Sequence, residues 1–390
     1  MKRTGILTHY YKSKNIGGLL QSYALAEFLI NNAFNTEQIC FEHNFFDEKA
    51  QKLFNELYPR ACGIKKIISG TLNLIRNGYL SFTEKLISQK IMKQNSVMEE
   101  FESFIPHSRD FYNTVNIEAV NKQYDDFIIG SDQVFASYLL PLSAFYGEFA
   151  SSDKKVISYA ASSDMKSFPP KAEELFKQKL QRIDKIGVRE QTLKDYIEKI
   201  TSKKAEVVLD PTFLLSKEQW LKIANPAAVP DKKYIFCYFL GGKTAWQRKV
   251  TKAYADKYGY EVVHLPYIMQ CLRPADRFLK GQGRYDVGPR EFISLINGAE
   301  CVFTDSFHGM AFSINFKKDF YVFNRNDKGG INSMNSRITD ILAMLGLESR
   351  HITDKNAVLE NKQTDYGKAD KILSEKKDFS VNWLLNALKD

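Results

Sequence analysis

Long apolar runs are missing from this sequence. No uninterrupted apolar stretch approaches the roughly 20 residues that a membrane-spanning helix requires. The opening Met1-Lys2-Arg3-Thr4-Gly5-Ile6-Leu7 turns strand-like without the apolar core of a secretory signal. A cytoplasmic protein is the expectation. Cysteine is scarce: Cys40, Cys62, Cys237, Cys271 and Cys301 are odd in number, scattered, and form no C-x-x-C pair. Neither a disulfide framework nor a structural zinc site is therefore expected. Proline is thin at 11 of 390 residues, and no repeat or low-complexity tract interrupts a composition that is 44% hydrophobic and 26% charged. That excludes a disordered or fibrous chain. The 55 Lys and Arg exceed the 46 Asp and Glu by nine, yet no nucleic-acid motif accompanies the excess. Dispersed lysines serve solubility, and a basic surface otherwise favours an acidic small substrate or an anionic membrane.

What is present is an α/β rhythm long enough for two domains. Gly5–His9 reads as a strand, Lys12–Gly18 as a polar loop, and Leu19–Asn31 as a helix with apolar residues at three- and four-residue spacing. Residues 48–104 read as a helical excursion, basic at Lys65, Lys66 and Arg76. It packs on the first domain or, less simply, lies on an anionic membrane. Strands then recur at Asp126–Ile129, Val156–Ala160, Ile186–Val188 and Glu206–Leu209, each ending in small or polar residues. Asn225–Asp231, with two prolines, is the linker candidate. Beyond it, Tyr234–Leu240, Glu261–Leu265, Cys301–Thr304 and Phe320–Phe323 are strands, Pro289 opens a helix, and a helix follows His308-Gly309. The expectation is α/β: two Rossmann-like domains facing a cleft, 1–226 on the acceptor side and 232–390 on the donor side. The C-terminal helix is available to pack back on the first domain.

Functional groups collect where these strands end, the edge at which open α/β sheets receive ligands. The loop holding Asn15, Gly17 and Gly18 is either such a site or a tight turn. Thr304-Asp305-Ser306-Phe307-His308-Gly309 joins a strand to a helix start, which directs N–H groups and the positive dipole end at whatever sits there. Gly309 would let a ligand approach the backbone, and a protonated His308 would add charge and a proton. The other reading is a helix capped by Asp305 or Ser306 with a structural histidine. The residues alone leave both open.

Five segments together resemble the polysaccharide pyruvyl transferase family. They are Asn15-Ile16-Gly17-Gly18-Leu19-Leu20-Gln21-Ser22-Tyr23-Ala24-Leu25, Phe127-Ile128-Ile129-Gly130-Ser131-Asp132-Gln133-Val134, and Ile157-Ser158-Tyr159-Ala160-Ala161-Ser162. The fourth is Gly187-Val188-Arg189-Glu190 with Leu209-Asp210-Pro211-Thr212, and the fifth Val287-Gly288-Pro289-Arg290-Glu291-Phe292 followed by Thr304–Gly309. The resemblance implies a GT-B-like fold, phosphoenolpyruvate as co-substrate with no further cofactor and no metal, and a pair of sugar hydroxyls as acceptor. The products would be a pyruvate ketal and phosphate. It implies that His308 holds or protonates the donor and that Arg189 binds an anion. Some members of the family carry arginine at the position of Ser306, while threonine is common at Met310 and tryptophan frequent at Phe135. The missing charge must come from Arg189, Arg284, Arg325 or Arg337.

The donor's carboxylate and phosphate call for cations and N–H groups. Ketal formation calls for a general acid, for which His308 is the candidate, and a base. Asp132, at a strand end, is the candidate base or acceptor binder, with a turn-former as its plain alternative. Ser131 lies beside it. Lipid-linked acceptors of capsule or exopolysaccharide pathways would bring the protein to the inner membrane face. A GT-B-like glycosyltransferase using a nucleotide sugar, or a non-catalytic anion- or glycan-binding protein, are the competing readings.

Overall fold

Short runs that are apolar on both faces, such as Phe127-Ile128-Ile129 and Val302-Phe303, alternate with helical segments. Such runs suit strands of parallel sheets covered on both sides. The computed structural model describes residues 2–42, 48–58, 88–241, 245–267, 274–325 and 335–389. These separate into two units: the described residues up to 58, 102–214 and from 376 onward in one, 88–101 and 215–375 in the other.

The first unit contains β1 (Arg3–Leu7), α1 (Ile16–Asn31), β2 (Asn35–Phe41), α2 (Glu48–Leu57), and the end of a helix over residues 88–102 (α3). There follow β3 (His107–Tyr112), β4 (Asp126–Ile129), β5 (Lys155–Ala161), α4 (Pro170–Leu180), β6 (Lys185–Val188), α5 (Gln191–Ile200) and β7 (Ala205–Val207). The sheet runs β3-β2-β1-β4-β5-β6-β7 with every pair parallel. Spatial order reverses between β1 and β4, so the loops leaving those two strands diverge and open a crevice at the carboxyl edge. One side of the sheet is filled by Leu7, Ile39, Phe41, Phe127, Ile129 and Val156 with the helices that cover them. α1 is buried nearly all round, with 13 of its 16 residues inaccessible, because it packs on the sheet and beneath the turn Pro211–Phe213.

The second unit holds α6 (Lys217–Ile223), β8 (Tyr234–Tyr238), α7 (Ala245–Tyr258), β9 (Glu261–His264), β10 (Gln282–Gly283), α8 (Pro289–Gly298) and β11 (Cys301–Thr304). α9 (Phe307–Asn315), β12 (Phe320–Phe323), α10 (Ser336–Leu345) and β13 (His351–Ile352) complete it. Its parallel sheet runs β10-β9-β8-β11-β12-β13 and reverses between β8 and β11.

Three features sharpen the division into units. The Asn225–Asp231 segment belongs to the second unit: Asn225 Nδ2 donates to Glu291 Oε1 at 2.8 Å and its backbone N–H to the Arg290 carbonyl. The change of unit falls at Leu214–Leu215, just before the Ser216–Gln219 capping box that opens α6. Of the 48–104 region, α2 lies with the first unit and 88–101 with the second, while Lys65, Lys66 and Arg76 lie outside the described residues. The last helix, α11 (Gly367–Lys389), belongs to the first unit from Lys376 onward. There Ser380 Oγ accepts from the Leu209 N–H at 2.9 Å, and Trp383 leans on Tyr159 with ring centroids 6.3 Å apart. Among the described residues, no helix is long and apolar enough to cross a membrane.

Candidate functional site

In the second unit the Thr304–Gly309 segment occupies the switch point between β8 and β11. Thr304 Oγ1 donates to the Tyr238 carbonyl at 2.6 Å and accepts from the Ser306 N–H at 3.0 Å. The Asp305 carboxylate accepts from the Leu240 and Gly241 amides at 2.6 and 2.8 Å, which fixes the loop after β8. From its other side the buried Arg248 donates to the Gly241 carbonyl at 2.7 Å, ion-pairs with Asp276 at 3.0 Å and lies 4.4 Å over the Phe239 ring. Ser306 is the N-cap of α9, its Oγ accepting from the Gly309 N–H at 3.4 Å. His308 therefore stands inside the first turn, at the positive end of the helix dipole, and is buried. A Cβ on Gly241 would lie 2.7 Å from the Arg325 carbonyl, 3.4 Å from Arg325 Cγ and 2.8 Å from Asp305 Oδ2, so the loops after β8, β11 and β12 converge there. Tyr238 lies in the same group. Burial pushes its phenol pKa up, with Tyr267 and Asp305 adding to the rise and the Arg325 charge opposing it.

Gly309 also has a packing role. A Cβ there would meet Thr304 Oγ1 at 2.5 Å, and the two hydrogen bonds already made by that hydroxyl prevent it from turning away. Helix–strand packing is by itself enough to require glycine here. Gly309→Ala should lower stability by roughly 1–3 kcal/mol, the usual cost of overpacking. A denaturation midpoint equal to that of the parent chain would refute this.

In the first unit the strand ends carry a buried ionic cluster. The Arg189 side chain, 3% exposed, reaches Asp210 Oδ2 at 2.8 Å, Glu190 Oε1 at 3.1 Å and Asp132 Oδ1 at 3.4 Å. Burial opposes its charge, but Glu190, Asp210 and Asp132 outweigh that and hold the guanidinium more firmly protonated than usual. Ser162 Oγ donates to Glu190 at 2.6 Å, and Ser131 Oγ to Asp210 at 3.2 Å. Asp210 also takes the Thr212 N–H and hydroxyl at 3.0 and 2.7 Å. Asp132 adopts φ 60° and Ala160 φ 51°, conformations that Asp tolerates better than Ala. They accompany a register shift in β5 and an isolated bridge from Asp132 to Ala161, which turns the Asp132 carboxylate toward the arginine. Among the described residues, no group of three or more His, Cys, Asp or Glu is placed to hold a metal ion.

The structure thus brings Ser306, His308, Gly309 and Arg325 together at one switch point, and Asp132, Ser131 and Arg189 at the other. Asn15 caps α1 through the Gly17 N–H at 3.1 Å, and Gly17 and Gly18 are buried in its first turn. Arg284 is not brought in: it clasps Asp286 at 2.7 and 3.3 Å and donates to the Ala228 carbonyl at 3.0 Å.

With this geometry in place, the sequence matches the model of the family described as polysaccharide pyruvyl transferase over residues 15–327, most of the chain. The chain belongs to the polysaccharide pyruvyl transferase family. No curated protein matches it. Among solved structures, a putative UDP-N-acetylglucosamine 2-epimerase from Listeria monocytogenes aligns with TM-score 0.50 and 11% identity, covering 97% of each chain. The UDP-GlcNAc 2-epimerase from Methanocaldococcus jannaschii aligns with TM-score 0.51 and 15% identity, over 96% of this chain and 92% of that one. At such identity the likeness concerns fold alone, and it agrees with the α/β class expected from the strand–helix rhythm and with the GT-B-like fold that the family resemblance implies.

In this member of the family the geometry does not suit the anion-ligand role expected of Arg189. One guanidinium faces three carboxylates, so an incoming anion would meet surplus negative charge. Ser131 is likewise engaged inside the cluster. His9 follows β1 at the same switch point, where burial pulls its pKa below the ordinary value and the Asp132 charge partly offsets that. Its folded pKa is depressed, so the unfolded chain binds the extra proton. The stability contributed by neutral His9 is whole above pH 6.5, the unfolded value, and is lost as pH falls through the folded one. His9→Gln should therefore flatten the decline in denaturation midpoint between about pH 7.5 and about pH 5.5. Parallel declines in variant and parent would count against it.

Proposed function

We propose that this transferase moves the pyruvyl group of phosphoenolpyruvate onto two hydroxyls of a sugar in a glycan precursor, releasing phosphate. The supporting observation is the placement of His308 in the first turn of α9 at a switch point, beside the loop that carries Arg325. A helix N-terminus and a guanidinium are groups that favour a ligand bearing both carboxylate and phosphate. Arg325 is assigned the positive charge that Ser306 does not bring.

His308 would give its proton to the methylene carbon, which becomes the methyl group as positive charge develops at the central carbon. The first sugar hydroxyl adds there and sheds its proton. The bond from that carbon to the phosphate oxygen then breaks, and the second hydroxyl closes the ketal with loss of its own proton. One hydroxyl proton restores His308 and the other leaves with phosphate. Asp132 is the proposed acceptor-side carboxylate, held in orientation by Arg189. A lipid-linked acceptor would bring the protein to the inner membrane face.

Incubation with phosphoenolpyruvate and a panel of sugars tests this. The expected result is phosphate release together with a product heavier by pyruvate less water, with a methyl group on a quaternary ketal carbon. Turnover of nucleotide sugars alone would replace pyruvyl transfer with glycosyl transfer.

A further inference from the structure

Away from the ionic cluster, the first unit carries an aromatic ledge to which no role has yet been assigned. Tyr11, in the loop between β1 and α1, stacks on Phe111 of the edge strand β3 with centroids 5.5 Å apart and planes 26° apart. Phe111 is 61% exposed. Behind the pair, Tyr10 is buried, its hydroxyl 3.4 Å from Cys40 Sγ, and meets Tyr11 edge-on at 6.3 Å. The base of the ledge is therefore fixed by packing. Lys12 lies 5.3 Å over the Tyr11 ring and pairs with Glu42 at 2.9 Å, while Glu102 is close enough to act electrostatically on Tyr11.

We propose that this ledge is a subsite for a neutral sugar ring of the acceptor glycan, with Phe111 as its stacking face and Glu42 and Lys12 as hydrogen-bonding rim. A pyranose presents a face of C–H groups that packs on an aromatic ring and a rim of hydroxyls that bond to carboxylates and ammonium groups. Charge separates this occupant from the alternatives. One lysine stands against two glutamates here, so phosphoenolpyruvate or a nucleotide diphosphate would be repelled, whereas an uncharged sugar would not. Tyr11 stands in the β1–α1 loop, which ends at Asn15, the N-cap of α1. An acceptor chain held on the ledge would be aligned by a contact remote from the hydroxyls that react. Assignment of the sugar as acceptor rests on the pyruvyl-transfer reading; binding of a sugar to the ledge does not.

Saturation-transfer NMR of the full chain with methyl glucoside, methyl galactoside, N-acetylglucosamine and cellobiose, without phosphoenolpyruvate, is the test. The expected result is transfer to ring C–H protons of at least one sugar, weakened about five- to tenfold in Phe111→Ala, the size of one aromatic contact. Phe111→Trp should retain it. Because Phe111 is exposed, the alanine variant should fold, which its circular dichroism would verify. Three results would overturn the subsite: no transfer from any sugar, equal transfer to Phe111→Ala, or Phe111-dependent binding of UMP but not of sugars. Phe111-dependent dimerisation in sedimentation, without sugar binding, would make the ledge a self-association face instead. If sugars bind the ledge and no ketal forms, the subsite stands and the pyruvyl-transfer reading fails.

Discussion

His308→Gln should lower the turnover of phosphate release by roughly 10²–10⁴-fold, the range that a positioned proton donor supplies. Glutamine fills similar space and still hydrogen-bonds, but it cannot give a proton at neutral pH. The loss should fall equally on kcat and on kcat/KM for phosphoenolpyruvate, because the interaction removed belongs to the transition state. The cap of α9 comes from Ser306 and the clamp on the neighbouring loop from Asp305, so the fold should be unchanged and the melting temperature should stay close to the parent's. Turnover within about threefold of the parent would remove His308 from proton transfer and leave it a structural residue. A rise in KM alone would make it a ligand for the donor rather than its acid.

The second large effect concerns stability. Arg189→Met would leave Asp132, Glu190 and Asp210 close together with the cation that joins them gone. Breaking a buried ion pair by removing one partner costs roughly 3–5 kcal/mol, and three acceptors share this one donor group. A fall in melting temperature on the order of 10 °C is expected for a unit of this size. Arg189→Lys should recover only part of it, since an ammonium lacks the planar fork that meets several carboxylates at once. The result that would restore the anion-ligand role is an unchanged melting temperature in Arg189→Met with a large rise in KM for phosphoenolpyruvate.

Much of the fold could be read from the sequence, because strands buried on both faces write themselves as short apolar runs. Asp126–Ile129, Cys301–Thr304 and Phe320–Phe323 lie where the residues placed them. β2 and β3 escaped because Asn35–Phe41 and His107–Tyr112 mix polar and apolar residues, as strands toward a sheet margin do. The position of His308 was legible for a local reason: a strand end, a capping serine and a helix start are consecutive in the chain. The state of Arg189 was not. Its partners Asp132 and Asp210 stand 57 and 21 residues away, and only the parallel register of β4 to β7 brings them to one edge. The same applies to Asp305, whose carboxylate grips amides 64 and 65 residues earlier. Burial and pairing decide whether a charge is offered to a ligand or consumed by the protein, and neither is a property of neighbours in sequence.

The late arrival of α11 in the first unit has a consequence for how the protein is made. A ribosome delivers β1 to β7 long before Ser380 and Trp383 emerge, yet Ser380 receives the amide beside Asp210, and Trp383 fills the space against Gly187 and Tyr159. The packing of the first unit is therefore completed by residues that follow those of the second in the sequence. The second unit is supplied almost wholly by residues 215–375, all of which precede Ser380. The contacts of Leu209, Gly187 and Tyr159 with α11 can form only after residues 215–375 have been made.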